Sequence, residues 1–160
     1  MNDFQDRNIT VVTVFGVLIH QGHILMIRRA REPYQGLCTV PGGHKLHGGS
    51  LNEACIREIV EETGLKMIEP RLIGLMEVEL EGDPRDFISF YFTSEHWEGK
   101  LASSSEGDLF WADIQAAPDL PQVHPAFQAL APYFQACNSP FMARAQVDAH
   151  GRGQYLVKRF

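Results

Sequence analysis

The sequence predicts a mixed α+β fold, with residues 1–160 forming one domain. Apolar residues make up 44% and charged residues 21%, the balance of a chain that can bury its own core. β-Branched and aromatic runs broken by Gly- and Pro-bearing turns recur along the chain. Between them lies one segment, Leu51 to Thr63, with start and stop signals for a helix.

The elements follow in order. Thr10 to Ile19 is β-branched and reads as a strand, and His20-Gln21-Gly22-His23 as a turn returning through Ile24 to Ile27. Arg28, Arg29 and Arg31 form a short basic cluster, Pro33 to Gly36 a loop, Leu37 to Val40 a brief strand, and Pro41-Gly42-Gly43 a sharp break. Ser50 with Glu53 makes a capping-box pattern ahead of the helix, and Gly64 ends it. Arg71 to Leu80 and Asp86 to Thr93 read as strands about a Glu81-Gly82-Asp83-Pro84 turn, and Leu109 to Trp111 as a short strand. Pro125 to Phe134 looks helical, but Pro132 shortens or kinks it. Ala143 to Phe160 forms a last hairpin about His150-Gly151-Arg152-Gly153. There are no repeats and no linker.

Composition removes several functions. A net charge of -6 argues against a protein that grips a nucleic-acid polymer by neutralising phosphates, though not against one that binds a single nucleotide. Cys38, Cys55 and Cys137 are odd in number and widely spaced, as expected of core fillers and not of a zinc site or disulfide framework. Met1 to Asn8 is too polar for a signal peptide, and the apolar run Val14 to Ile19 is too short to span a bilayer. The cytoplasm is the expected compartment, with no membrane partner. The oligomeric state stays open, a homodimer included.

Chemistry concentrates on the helix. Glu58, Glu61 and Glu62 lie three or four residues apart and share a side, where like charges repel by ~0.2–0.5 kcal/mol per pair unless a cation sits between them. They could simply form a solvated acidic face. A helical wheel argues otherwise, because Leu51, Cys55 and Ile59 project close to Glu58 and Glu62. Ile56 and Val60 fall elsewhere, which suggests packing on two sides. Partly buried carboxylates need cations, and a hard cation such as magnesium suits them. The Pro41-Gly42-Gly43 backbone could offer a carbonyl to the metal. Arg57 is either a surface partner of Glu53 or a support for the neighbouring carboxylates.

Gly43, Arg57, Glu58, Ile59, Glu61, Glu62, Gly64 and Leu65 stand in register with the Nudix signature, which this segment closely resembles. The resemblance implies an α/β/α sandwich with a mixed central sheet, and hydrolysis of a diphosphate linkage in a nucleotide-like substrate. It also implies Mg2+, with Mn2+ as a substitute, bound by Glu58, Glu61, Glu62 and the Gly42 carbonyl. Glu61, Glu62 or Glu106 would take a proton, and Arg57 would support them. Glu106 opens Glu106-Gly107-Asp108-Leu109-Phe110-Trp111, similar to an element of MutT-like members, although it also suits a turn before a strand. Substrate phosphates would meet Arg28 or Arg29, one of which alternation turns away, beside Gly43. Phe87, Phe90 and Phe92 are expected in the core more than as a stacking platform. His124 and Phe127 are weaker candidates for base contact, and the other histidines are expected on the surface.

One position departs from the signature. Gly49 stands where the family has its first Glu, and His47 lies close by. Loss of that acid would loosen Arg57 or weaken a metal site, and Gly49→Glu is expected to raise turnover. Three functions compete: a MutT-like nucleoside triphosphate pyrophosphohydrolase of the 8-oxo-dGTP diphosphatase type, an ADP-ribose or nucleotide-sugar pyrophosphatase, and a weak or silent nucleotide sensor.

Overall fold

The computed structural model describes residues 9–135 and 139–160, so Met1 to Asn8 and Cys137 lie outside the described residues. Its centre is a six-stranded mixed sheet. In chain order its strands are β1 (Thr10–Val17), β5 (Gly42–His44), β7 (Arg71–Leu80), β8 (Asp86–Thr93), β11 (Phe141–Val147) and β12 (Gly153–Arg159). They lie in the spatial order β12-β11-β7-β8-β1-β5. β1 runs parallel to β8 and β11 parallel to β7, while the other pairs are antiparallel. A second sheet contains β2 (Ile19–His20), β3 (His23–Arg29), β4 (Cys38–Thr39) and β10 (Gly107–Asp113).

The long helix α1 (Leu51–Thr63) has the boundaries its caps predict. The Ser50 hydroxyl accepts from the Glu53 amide, Glu53 accepts from the Ser50 amide, and Gly64 closes the helix in the left-handed conformation. It covers one face of the central sheet. There Cys55 and Ile59 pack on Val14, Leu18, Leu25 and Phe92. The other face meets the second sheet and the short helix α2 (Pro125–Leu130), burying Met26, Val40, Phe127, Leu130 and Phe141. Helices therefore flank the sheet as expected.

Several boundaries differ. The first strand stops at Val17, and Ile19–His20 joins the second sheet, so Thr10 to Ile19 is two strands. The return strand runs on to Arg29, and Leu109 to Trp111 is the middle of Gly107–Asp113. Gly42 and Gly43 are not a break but part of an edge strand on β1. The Pro125 helix ends at Leu130 and tightens into a 3-10 turn, Ala131–Tyr133, because Pro132 has no amide to donate. Two short strands escaped the sequence reading: β6 (Leu65–Ile68) pairs with β9 (His96–Gly99). Val60 is 41% exposed, so α1 buries one side and not two. Cys38 and Cys55 are buried and free. No helix among the described residues is long and apolar enough to cross a membrane.

Candidate active site

The helix carboxylates reach the opposite side of the sheet through a gap at its edge. β5 pairs with β1 so that Gly42 faces Phe15 and Gly43 faces Val14. Side chains there would close the gap: a Cβ on Gly43 would collide with the Glu58 carboxylate, and one on Gly42 with the carbonyl of Val14. Past these glycines, Glu58, Glu61 and Glu62 line a cavity of about 1090 Å³. Arg29, His44 and Glu106 line it too.

Each carboxylate is held differently. Glu62 is 6% exposed, and one of its oxygens accepts from the Gly42 amide at 3.1 Å. Burial pushes its carboxyl up to about 7 against that hydrogen bond, with the charges of Glu58 and Glu106 adding to the rise and Arg29 opposing it. Glu58 is also buried, with an Oε1 2.7 Å from Arg57 Nη2. Burial still raises its carboxyl above the usual range, outweighing the guanidinium. Glu61 is mostly exposed and sits 3.2 Å from Arg57 Nη1. Arg57 further donates to the His44 carbonyl at 2.9 Å. It therefore supports the acid cluster and does not pair with Glu53, whose carboxylate is committed to the cap.

The donor set fits a hard cation. Glu62 has no basic side chain within ion-pair distance among the described residues, so its buried charge is balanced by one amide. No group of three or more His, Cys, Asp or Glu side chains among the described residues is placed so that together they could hold a metal ion. Magnesium needs no such group, since it keeps several waters and binds through one or two carboxylates plus substrate phosphates.

The remaining candidates separate clearly. Arg29 lines the cavity, its Nε donating to the Pro33 carbonyl at 2.7 Å. Arg28 points away and donates to Gln122 at 2.7 Å and to the Gly36 carbonyl. Alternation along β3 thus leaves one arginine for the site. Glu106 immediately precedes β10, where Gly107 pairs with Arg29, and it lines the cavity. Gly43 serves Glu58 by leaving space. His124 lines the cavity and caps α2 by accepting from the Ala126 amide, whereas Phe127 is buried in the core. Of the three phenylalanines, Phe92 is core and Phe90 packs toward α1, but Phe87 faces the cavity with the Arg85 guanidinium 5.2 Å from its ring centre.

The departure at Gly49 has a local explanation. Gly49 adopts φ +66, which L side chains rarely take, and a Cβ there would lie 3.0 Å from the Glu53 carboxylate. Arg57 keeps its partners without an acid at this position. His47 is exposed and outside the cavity lining.

Sequence reasoning missed the cavity floor. Val11, Thr13 and Phe15 of β1 and Phe87, Ser89 and Tyr91 of β8 share one face, rung by rung in the parallel register. Tyr34, His44 and Tyr155 also line the cavity. Period-two alternation was a usable signal for the floor, but it marks a buried face without telling core from cavity.

Comparison with known proteins agrees with this architecture. The NUDIX domain family matches residues 9–135. The uncharacterized Nudix hydrolase YvcI of Bacillus subtilis is 33% identical over 95 residues, 57% of this chain and 60% of the relative. The ADP-ribose pyrophosphatase of Methanocaldococcus jannaschii is 34% identical over 113 residues, 68% of this chain and 65% of the relative. The chain thus spans less than two thirds of both relatives. The crystal structure of the mutator MutT protein from Bacillus halodurans superposes with a TM-score of 0.81 at 21% identity, covering 92% of this chain and 97% of that one. With the family match spanning most of its length and the signature helix set against a mixed sheet, the chain belongs to the Nudix family.

Proposed function

We propose that the chain is a magnesium-dependent pyrophosphohydrolase cleaving a nucleoside triphosphate to the monophosphate and pyrophosphate. The observation that carries this reading is one cavity with buried acids and Arg29 at one end and an aromatic, uncharged floor beyond them. Magnesium, or manganese in its place, would be held by one or two of the Glu58, Glu61 and Glu62 carboxylates together with substrate phosphates, with the Gly42 carbonyl as an expected further ligand. When bound it supplies charge neutralisation of the phosphates and activation of water.

The chain's own residues do the rest. Arg29 binds a phosphate oxygen. Arg57 fixes the Glu58 and Glu61 carboxylates, and the Gly42 amide orients Glu62. Glu62 or Glu106 takes the proton of the attacking water as the bond between the α and β phosphates breaks. The place of Glu106 beside Arg29 supports the triphosphate reading, since both stand at the same end of the β3–β10 pair. The substrate is a small molecule, not a nucleic-acid polymer.

A second reading is ADP-ribose hydrolysis, favoured by the identity to the Methanocaldococcus jannaschii relative. A silent sensor is the third, and the intact support of Arg57 despite Gly49 weighs against it. A metal-dependent screen over triphosphates, ADP-ribose and sugar nucleotides tests all three. Pyrophosphate release, abolished in Glu62→Gln, is expected. Monophosphate products from ADP-ribose alone favour the second reading, and tight nucleotide binding with no turnover under any divalent metal favours the third.

A further inference from the structure

Inside the cavity, one polar group has nothing to do. Tyr91 is 4% exposed and its ring is packed on three sides: stacked on Phe15 with centres 5.2 Å apart, and tilted against Phe134 and Phe141 at 5.6 Å each. Its hydroxyl makes no hydrogen bond among the described residues. A buried hydroxyl left unpaired is destabilising; no fully enclosed side-chain oxygen among the described residues lacks a partner, so the Tyr91 oxygen keeps some access, and Tyr91 lines the cavity. Two residues earlier on the same face, the Ser89 hydroxyl lies 2.8 Å from that of Thr13. That bond uses one of the pair's two hydroxyl protons, and the second proton and spare lone pairs remain available.

These three hydroxyls lie on adjacent rungs of β1 and β8, flanked by the rings of Phe15 and Phe87. The rung of Tyr91 is also that of Gly42, two strands away and roughly 10 Å across the sheet. At that end Gly42 holds Glu62, so Phe15 starts the floor next to the acid cluster and Tyr91 stands one strand further out. Arg85, the cation beside the Phe87 end of the floor, is paired with Asp83 at 2.6 Å. The floor therefore offers flat apolar surface and uncharged donors and acceptors, which is chemistry for a heterocyclic ring and not for a second phosphate.

We propose that Tyr91, backed by the Ser89–Thr13 pair, is a specificity-determining residue that hydrogen-bonds the base of the nucleotide substrate. This rests on the reading of the cavity as a nucleotide site but not on turnover. Tyr91→Phe keeps the ring and its stacking, so the fold is retained, and removes only the hydroxyl.

Calorimetry with calcium in place of magnesium measures affinity apart from hydrolysis. The probes are ATP, GTP, CTP, UTP and ADP-ribose, with inorganic tripolyphosphate as the ligand that has no ring. The expected result is a three- to tenfold weaker affinity of Tyr91→Phe for at least one nucleotide, the loss of one hydrogen bond. Tripolyphosphate affinity and melting temperature stay unchanged. Ser89→Ala should weaken the same nucleotide. Equal affinities of wild type and Tyr91→Phe across the panel overturn the proposal, as does equal weakening of tripolyphosphate or failure of the wild type to bind any nucleotide. Nucleotide binding that depends on Tyr91 without turnover of any probe leaves this inference standing and removes the hydrolase reading alone.

Discussion

Arg57 grips Glu58 across 2.7 Å, and the same guanidinium reaches Glu61 and the carbonyl of His44. Arg57 thus has three partners without an acid at position 49. Restoring the acid with Gly49→Glu, expected from sequence to raise turnover, should instead lower stability. The left-handed backbone costs a non-glycine residue roughly 1–2 kcal/mol, and the new carboxylate would crowd Glu53 and disturb the cap on α1. A lower melting temperature with no gain in rate is the expected outcome. A faster, equally stable variant would show that Arg57 is undersupported in the wild type.

The two edge glycines should fail in different ways. Gly42→Ala drives a methyl into the Val14 carbonyl and strains the β1–β5 pair, so its melting temperature falls sharply. Gly43→Ala meets only the end of the Glu58 side chain, which can swing aside. That displaces an acid from the site, and a misplacement of about 1 Å can cost 10²-fold in rate. The prediction for Gly43→Ala is a folded protein with kcat down about 10²-fold, and near-normal kcat in this variant would refute it.

Glu62 opposes folding once it ionises. In the folded, metal-free protein its carboxyl stands at about 7 against an ordinary 4.5, so the unfolded chain gives up its proton first. The stability associated with the protonated form is full below 4.5 and is lost as pH rises through 7, an effect of about 3 kcal/mol at most. Glu62→Gln can still accept from the Gly42 amide but cannot ionise. In chelator it should melt higher than wild type at pH 8 and about equally at pH 4.5, and magnesium should raise the wild-type melting temperature more than the variant's. A Glu62→Gln variant less stable at pH 8 would contradict the buried-charge account.

His124 acts with the opposite sign. Burial holds its imidazole down to about 4, with Arg29 adding to the effect, while it caps α2 as a neutral acceptor. A depressed histidine contributes stability fully present above 6.5 and lost as pH falls toward 4, again about 3 kcal/mol at most. His124→Asn retains a capping oxygen without titrating in this range. The stability of wild type relative to this variant should therefore decline between pH 6.5 and 4. A constant difference would place a charged imidazole in the folded state.

What the sequence makes legible is what short-range chemistry decides. The bounds of α1 follow from Ser50, Glu53 and Gly64, and those of β7 and β8 from the Glu81-Gly82-Asp83-Pro84 turn that separates two largely apolar segments. Leu65–Ile68 and His96–Gly99 are illegible because each is four residues long and gains its partner only through distant pairing. Gly42 and Gly43 read as a break because glycine disfavours strands, and pairing with β1 overrides that preference. The acid cluster is visible in sequence, since its three members share one helix. The floor beneath it is not, because Thr13 and Ser89 are 76 positions apart and only the fold sets them side by side.

The adjacent arginines give the sharpest test of which end of the cavity meets phosphate. Arg29 faces the acids and is anchored through its Nε to the Pro33 carbonyl, which leaves its terminal nitrogens for a ligand. Arg28 spends its Nη1 on Gln122 and Gly36 outside the cavity. A hydrogen bond between a guanidinium and a phosphate is worth ~1.5–3 kcal/mol, so Arg29→Ala should lose roughly 10- to 100-fold in kcat/KM. Arg28→Ala should stay within about twofold, with at most a small drop in melting temperature, because it touches loops and not the site. Arg29→Lys keeps the charge without the planar fork and should recover only part of the loss. Steady-state kinetics on the three variants, with the best substrate from the screen, decides it. Equal losses at the two positions would mean that phosphate lies nearer the mouth of the cavity than the acid cluster requires.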